Sequence, residues 1–159
     1  MNDEVEVDAL YHHLLRAWDQ RQAKDFAALF VEAGHVVGFD GSVMDSRAAI
    51  EAELTQIFGD HPTPPFIAKV RKTSFPAPGT ALLSAVAGMV PPGRSELEPK
   101  LNAVQTLVAV KEGEQWRVAL FQNTPAAFHG RPELAEQLTA ELRAAAGEQS
   151  GKSESLEEG

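Results

Sequence analysis

Several things are missing from this chain of 159 residues. There is no cysteine, which excludes disulfides, thiolate metal sites and cysteine nucleophiles. No apolar run approaches the roughly 20 residues that span a bilayer. Cations are scarce: 14 Lys and Arg against 23 Asp and Glu leave a formal charge of -9. Phosphate binding needs a concentrated cationic face, so this balance speaks against nucleic acid and against an anionic membrane surface. The opening MNDEVEVDAL is acidic where a signal peptide would be basic and then apolar, so the expected location is cytoplasmic. Metal patterns are missing too. His12 and His13 are neighbours that point about 100° apart on a helix, and His35, His61 and His129 are isolated in sequence. Without a His-x-x-x-His or carboxylate cluster no metal is expected. There is also no glycine-rich phosphate loop and no Gly-x-Ser-x-Gly elbow. The expectation is a protein without metal or organic cofactor.

What is present is ordinary globular material, 43% hydrophobic and 23% charged, enough for one domain with a real core and room for a cavity. Val7, Leu10, Leu14, Ala17 and Trp18 recur at helical spacing behind a capping Asn2 or Asp3, which predicts an amphipathic first helix. A second is expected from about Lys24 to Glu32, stopped by Gly34, and a third from about Arg47 to Phe58, capped by Ser46 and stopped by Gly59. Between them, two short apolar runs flank Asp40-Gly41, the signal of a tight β-hairpin. Beyond the prolines of 60–65 the period changes to strands, expected at Phe66–Phe75, Ala81–Val90, Leu101–Lys111 and Gln115–Asn123. Pro132 opens a last helix expected to end near Gly147. Helices followed by consecutive strands make an α+β fold with a largely antiparallel sheet. The strands around 81–90 and 101–110 are apolar on both alternating sets, so both sheet faces should be covered, one by helices and the other most simply by a second copy, giving a homodimer.

Ala17-Trp18-Asp19, Phe26-Ala27-Ala28-Leu29-Phe30, Asp40-Gly41-Ser42 before Arg47-Ala48-Ala49-Ile50, and Gly113, Trp116-Arg117-Val118 and Phe121-Gln122-Asn123-Thr124-Pro125 form an ordered set. In order and spacing the set resembles the nuclear transport factor 2-like (cystatin-like, SnoaL-like) superfamily. It resembles most the branch of small bacterial proteins that includes members of enediyne biosynthesis clusters. The resemblance implies a cone-shaped curved antiparallel sheet wrapped by three N-terminal helices around a pocket, usually dimeric. On this reading residues 1–129 are the cone domain, 130–147 an appended C-terminal helix, and 148–159 a disordered acidic tail. The chain departs from the family where Arg21 and Gln22 replace a usual Gly-Asp, and where Ser46 replaces a usual glycine. The fold hosts isomerases, cyclases, hydrolases and plain adaptors, so it does not by itself give function. Ketosteroid isomerisation in the superfamily uses a tyrosine on the first helix and an aspartate on the first strand. Leu14 and Gly38 fall at those positions, and neither can do that work.

The candidate site residues each have two readings. Asp40 is either a general base, its pKa raised by an apolar cone, or the acceptor of an Asp-Gly turn. Trp18 either lines a pocket against a flat ligand or packs in the core. Gln105, Gln122 and Asn123 are polar groups in apolar strands, either lining the pocket or bonded to one another, with Gln105 and Gln122 the expected pair. Arg71 either meets an anionic substrate at the cone mouth or sits on a solvated edge. The functional expectation is a protein that binds a small hydrophobic molecule, or a cofactor-independent enzyme of proton transfer, cyclisation or hydration, with Asp40 catalytic. A non-catalytic dimeric binding module, or one that docks a partner through its C-terminal helix or tail, is the alternative.

Overall fold

A computed structural model describes residues 2–157. Helix α1 (Asp3–Asp19) starts where the Asn2 side chain accepts the Glu4 N–H at 2.8 Å, with acids in its first turn. Its inward stripe is Val7, Leu10, Tyr11, Leu14 and Ala17. Helix α2 (Ala23–Ala28) is shorter than its apolar pattern. Phe30 already belongs to strand β1 (Phe30–Val37), and the expected stop at Gly34 lies inside that strand. A Cβ at Gly34 would come within 2.8 Å of the Phe30 ring. The glycine therefore serves the irregular step of the ladder between Phe30 and His35 rather than a helix end.

The hairpin from β1 to β2 (Val43–Asp45) turns at Asp40-Gly41 as expected, with Gly41 at φ +91°. Helix α3 (Arg47–Asp60) begins at Ser46, whose Oγ accepts the Ala49 N–H at 3.1 Å. Both departures from the superfamily pattern now have a physical context. Arg21 and Ser46 have positive φ, +58° and +107°, at the two places where the family tends to carry glycine. Each non-glycine residue compensates locally: Ser46 caps α3, and Arg21 donates through Nη2 to the Phe58 and His61 carbonyls.

Strands β3 (Phe66–Ala77), β4 (Thr80–Met89), β5 (Ala103–Glu112) and β6 (Gln115–Pro125) complete a curved, unclosed sheet of order β2-β1-β6-β5-β4-β3. Neighbours are antiparallel except β1 and β6, which run parallel. The inner face carries Ala81, Leu83 and Ala85 of β4, Leu107 and Ala109 of β5, and Val118 and Phe121 of β6, packed with α1, α2 and α3 in one core.

Helix α4 (Pro132–Glu157) lies against the opposite face, which the apolar pattern had assigned to a second copy. Its Leu138 and Leu142 bury against Val86, with Leu97, Val104 and Phe128 around them. Gly88 makes this approach possible, since a Cβ there would meet Asn102 Oδ1 at 2.8 Å and Leu142 Cδ1 at 3.0 Å. Asn102 Nδ2 donates to Thr139 Oγ1 at 2.9 Å, and that hydroxyl donates to the Ala135 carbonyl. Glu141 accepts from Arg71 at 2.6 Å and lies 3.6 Å from Lys69. The helix continues past Gly147 to Glu157, because a glycine with open space around its Cα is a weak helix former but not a stop. Of the expected tail, residues 158 and 159 lie outside the described residues.

Candidate functional site

The inner face of the sheet does not fill the space beneath the helices. Where β1 and β6 splay from the C-terminal end of α1 and from α3, a cavity of about 330 Å³ remains. Its walls come from Trp18 of α1, Leu54 and Ile57 of α3, Met44 of β2, and Phe121 and Ala103 of the sheet. All of these are apolar, as the core-facing positions of amphipathic elements must be.

Trp18 belongs to both of its readings. Its ring lines the cavity and packs on Phe58 and Phe66 at centroid distances of 5.3 and 5.2 Å. Its indole N–H is already spent on the Pro64 carbonyl at 3.1 Å, so towards the cavity it presents only its aromatic surface. With Arg21, it ties the proline-rich connection after α3 to the end of α1.

Asp40 borders the cavity at its mouth. Its carboxylate accepts the Ser42 N–H at 2.9 Å, the turn role. That bond, in an exposed position, holds the carboxyl below the usual carboxylate range. The raised pKa expected of a base in an apolar cone is therefore absent, since the loop keeps the group hydrated and gives its charge a donor.

The one amide among the described cavity residues is the half-buried Asn123 of β6. Register explains its company. Gln105 lies opposite Asn123, and Thr106 opposite Gln122. The expected Gln105–Gln122 pair is out by one residue, which puts Gln122 on the other face of the sheet, away from the cavity. Gln105 is wholly buried one layer behind the cavity wall and donates through Nε2 to Asn123 Oδ1 at 2.8 Å. Its Oε1 accepts from the Tyr11 hydroxyl at 2.5 Å. Tyr11, the chain's only tyrosine, is also wholly buried, and burial pushes its pKa up, so it stays protonated.

The direction of this chain is forced by chemistry. Were it reversed, Gln105 would donate to the tyrosine oxygen and leave the buried Tyr11 proton without an acceptor, at a cost of about 1–3 kcal/mol. Sequence reasoning missed Tyr11, although it lies on the same stripe as Val7 and Leu14. A hydroxyl on a buried helical stripe, above a strand that carries an inward glutamine, is the signal that was available.

Arg71 is not at the cone mouth. It lies on the outer face and pairs with Glu141 of α4. Trp18, Asp40 and Asn123 are thus brought together around the cavity, Gln105 supports them from behind, and Gln122 and Arg71 stand elsewhere. Among the described residues no group of three or more His, Asp or Glu side chains is placed to hold a metal. Among the described residues no helix is long and apolar enough to cross a membrane.

The SnoaL-like domain family matches residues 1–122 of the chain. Among solved structures, a protein of unknown function with a cystatin-like fold from Nostoc punctiforme superposes with a TM-score of 0.75 at 22% identity, covering 99% of this chain and 98% of that one. Aln2 from a Streptomyces species gives 0.65 at 19% identity over 81% of this chain and 94% of that chain. A ketosteroid isomerase-like protein from Erwinia carotovora gives 0.62 at 11% identity over 80% and 99%. At these identities the likeness is one of fold, and the first extends it across α4. No curated protein matches the sequence.

Proposed function

We propose, for a chain that belongs to the SnoaL-like domain family, that its work is to hold one small hydrophobic molecule in the cavity beneath the helices. The observation that carries this reading is a space of about 330 Å³ walled by apolar and aromatic side chains with a single amide in its wall. Sites for small molecules have this composition: apolar walls for affinity, few polar groups for orientation. Packed interiors rarely leave such a space without an occupant.

Native mass spectrometry on gently purified protein tests it, with organic extraction to release what is bound. One small molecule per chain is expected, and Met44→Trp, which fills the cavity from the edge strand, should abolish it without loss of fold. Retention of the same mass by Met44→Trp would place the molecule elsewhere and end this reading.

A second reading, cofactor-independent proton transfer, is favoured by Asp40 being the one ionisable side chain among the described cavity residues. With its pKa lowered it would be a weak base, ionised throughout the neutral range. Turnover unchanged in Asp40→Asn would remove that role. The motifs from Trp18 to Pro125 support a placement near the enediyne-cluster branch. The half-buried outer residues Val108, Val110 and Leu120, beyond the reach of α4, support a homodimer. Leu138 and Leu142 are spent on the chain's own sheet, which leaves less of α4 for docking a foreign partner.

A further inference from the structure

The cavity has a polarity of its own, and it follows from a residue outside the cavity. Tyr11 can only donate inward, because its proton has Gln105 Oε1 as acceptor in a fully buried setting. That fixes Gln105 Oε1 as acceptor and turns Nε2 towards Asn123, whose Oδ1 it engages. With Oδ1 engaged by Gln105, the Asn123 side-chain group that has no bond among the described residues is Nδ2, a donor with two protons to offer the cavity. The other polar groups that could orient a ligand are at the mouth, where Asp40 carries a negative charge. Trp18 contributes no donor, its N–H being bonded to Pro64.

We infer that the Tyr11–Gln105–Asn123 chain makes the Asn123 wall of the cavity a hydrogen-bond donor site, and that the molecule held there is an uncharged hydrophobic compound bearing a carbonyl-type oxygen. This rests on the cavity being a binding site. A ligand with a buried N–H or O–H in place of that oxygen meets donor against donor. An anion is disfavoured as well, because it must pass the Asp40 carboxylate and finds no cation among the described cavity residues. Tyr11 holds the polarity without touching the ligand, so it is a positioning residue. Because burial keeps it protonated, the polarity does not change across the neutral range.

Three probes of one tricyclic shape separate the possibilities: fluorenone, with a carbonyl; fluorene, with neither donor nor acceptor; and carbazole, with an N–H. Equilibrium dialysis of the full chain against each should give fluorenone a dissociation constant roughly five- to tenfold below that of fluorene, the worth of one neutral hydrogen bond. Carbazole should bind no better than fluorene. Asn123→Leu should erase the fluorenone advantage and keep fluorene binding. In Tyr11→Phe nothing holds the two amides in one sense, so the gap between fluorenone and carbazole should shrink while fluorene affinity stays. Equal affinities of the intact chain for fluorenone and fluorene, or a preference for carbazole, would overturn the donor site while leaving the cavity reading standing. Binding of none of the three would overturn the cavity reading itself, and the donor site with it.

Discussion

At Arg21 a left-handed backbone, φ +58°, is joined to two hydrogen bonds from one guanidinium, and mutation can separate them. Arg21→Ala loses the anchors on the end of α3 and keeps the backbone cost. Arg21→Gly loses the same anchors but relieves that cost, which is about 1 kcal/mol for an L-residue in this region. Both variants should melt below the parent, with Arg21→Gly the more stable by about 1 kcal/mol in urea titrations. A reversed order would mean that the backbone there is unstrained. The same scale shows what could be read in advance. That Gln105 and Asn123 need partners was legible from polar residues in apolar strands. Which partners was not, because register decides it and a slip of one residue exchanges the faces. Asp40 was legible as a turn acid from the following glycine; its lowered pKa depends on the Ser42 N–H, which only the folded loop supplies.

Among the elements, the hairpin, α1, α3 and the four long strands were legible within a few residues, since each has a clear period and a turn or cap at its ends. The boundary between α2 and β1 was not. Phe26, Leu29 and Phe30 fit a helical stripe, and the pairing of Phe30 with Val118 across the sheet overrides it. The place of α4 was equally hidden, because an apolar stripe does not say which surface it covers. Its docking should depend on pH through Glu141. Hydrogen bonding to Arg71, with the nearby charges of Arg71 and Lys69, holds that carboxyl below its ordinary value. A depressed carboxylate pKa adds stability above the unfolded pKa of about 4.3 and loses it as pH falls through the folded value. Glu141→Gln should therefore lower stability at pH 7 by up to about 1 kcal/mol, the scale of a partly exposed pair. The gap between parent and variant should close below about pH 4. A gap that persists in acid would assign the effect to packing rather than charge.

For the whole molecule, the two faces of the sheet divide the labour. The inner face holds the cavity and the outer face holds α4, so ligand affinity and α4 docking should respond to different substitutions. The fold class was legible from element order alone. The covering of the outer face was not, because α4 takes a share that the strand pattern left to a second copy. Leu82, 40% exposed, lies on the uncovered part beside Val108. If two copies meet there, sedimentation equilibrium should give twice the chain mass, and Leu82→Glu with Val108→Lys should halve it while fluorene affinity is unchanged. A parent that sediments at the mass of one chain would rule the dimer out.

The lone parallel ladder carries a kinetic consequence. β1 and β6 pair from Phe30 with Val118 to Val37 with Gln122, joining the first quarter of the chain to its last strand. Closing so long a loop is entropically slow, and no local contact substitutes for it. Phe121 takes its place beside Val36 only when that ladder forms. On the ribosome, the helices and the hairpin can assemble early, but a nascent chain has no cavity until β6 has left the exit tunnel. The ligand therefore meets a finished protein, and it can act on folding only by trapping the last step, never by seeding the first.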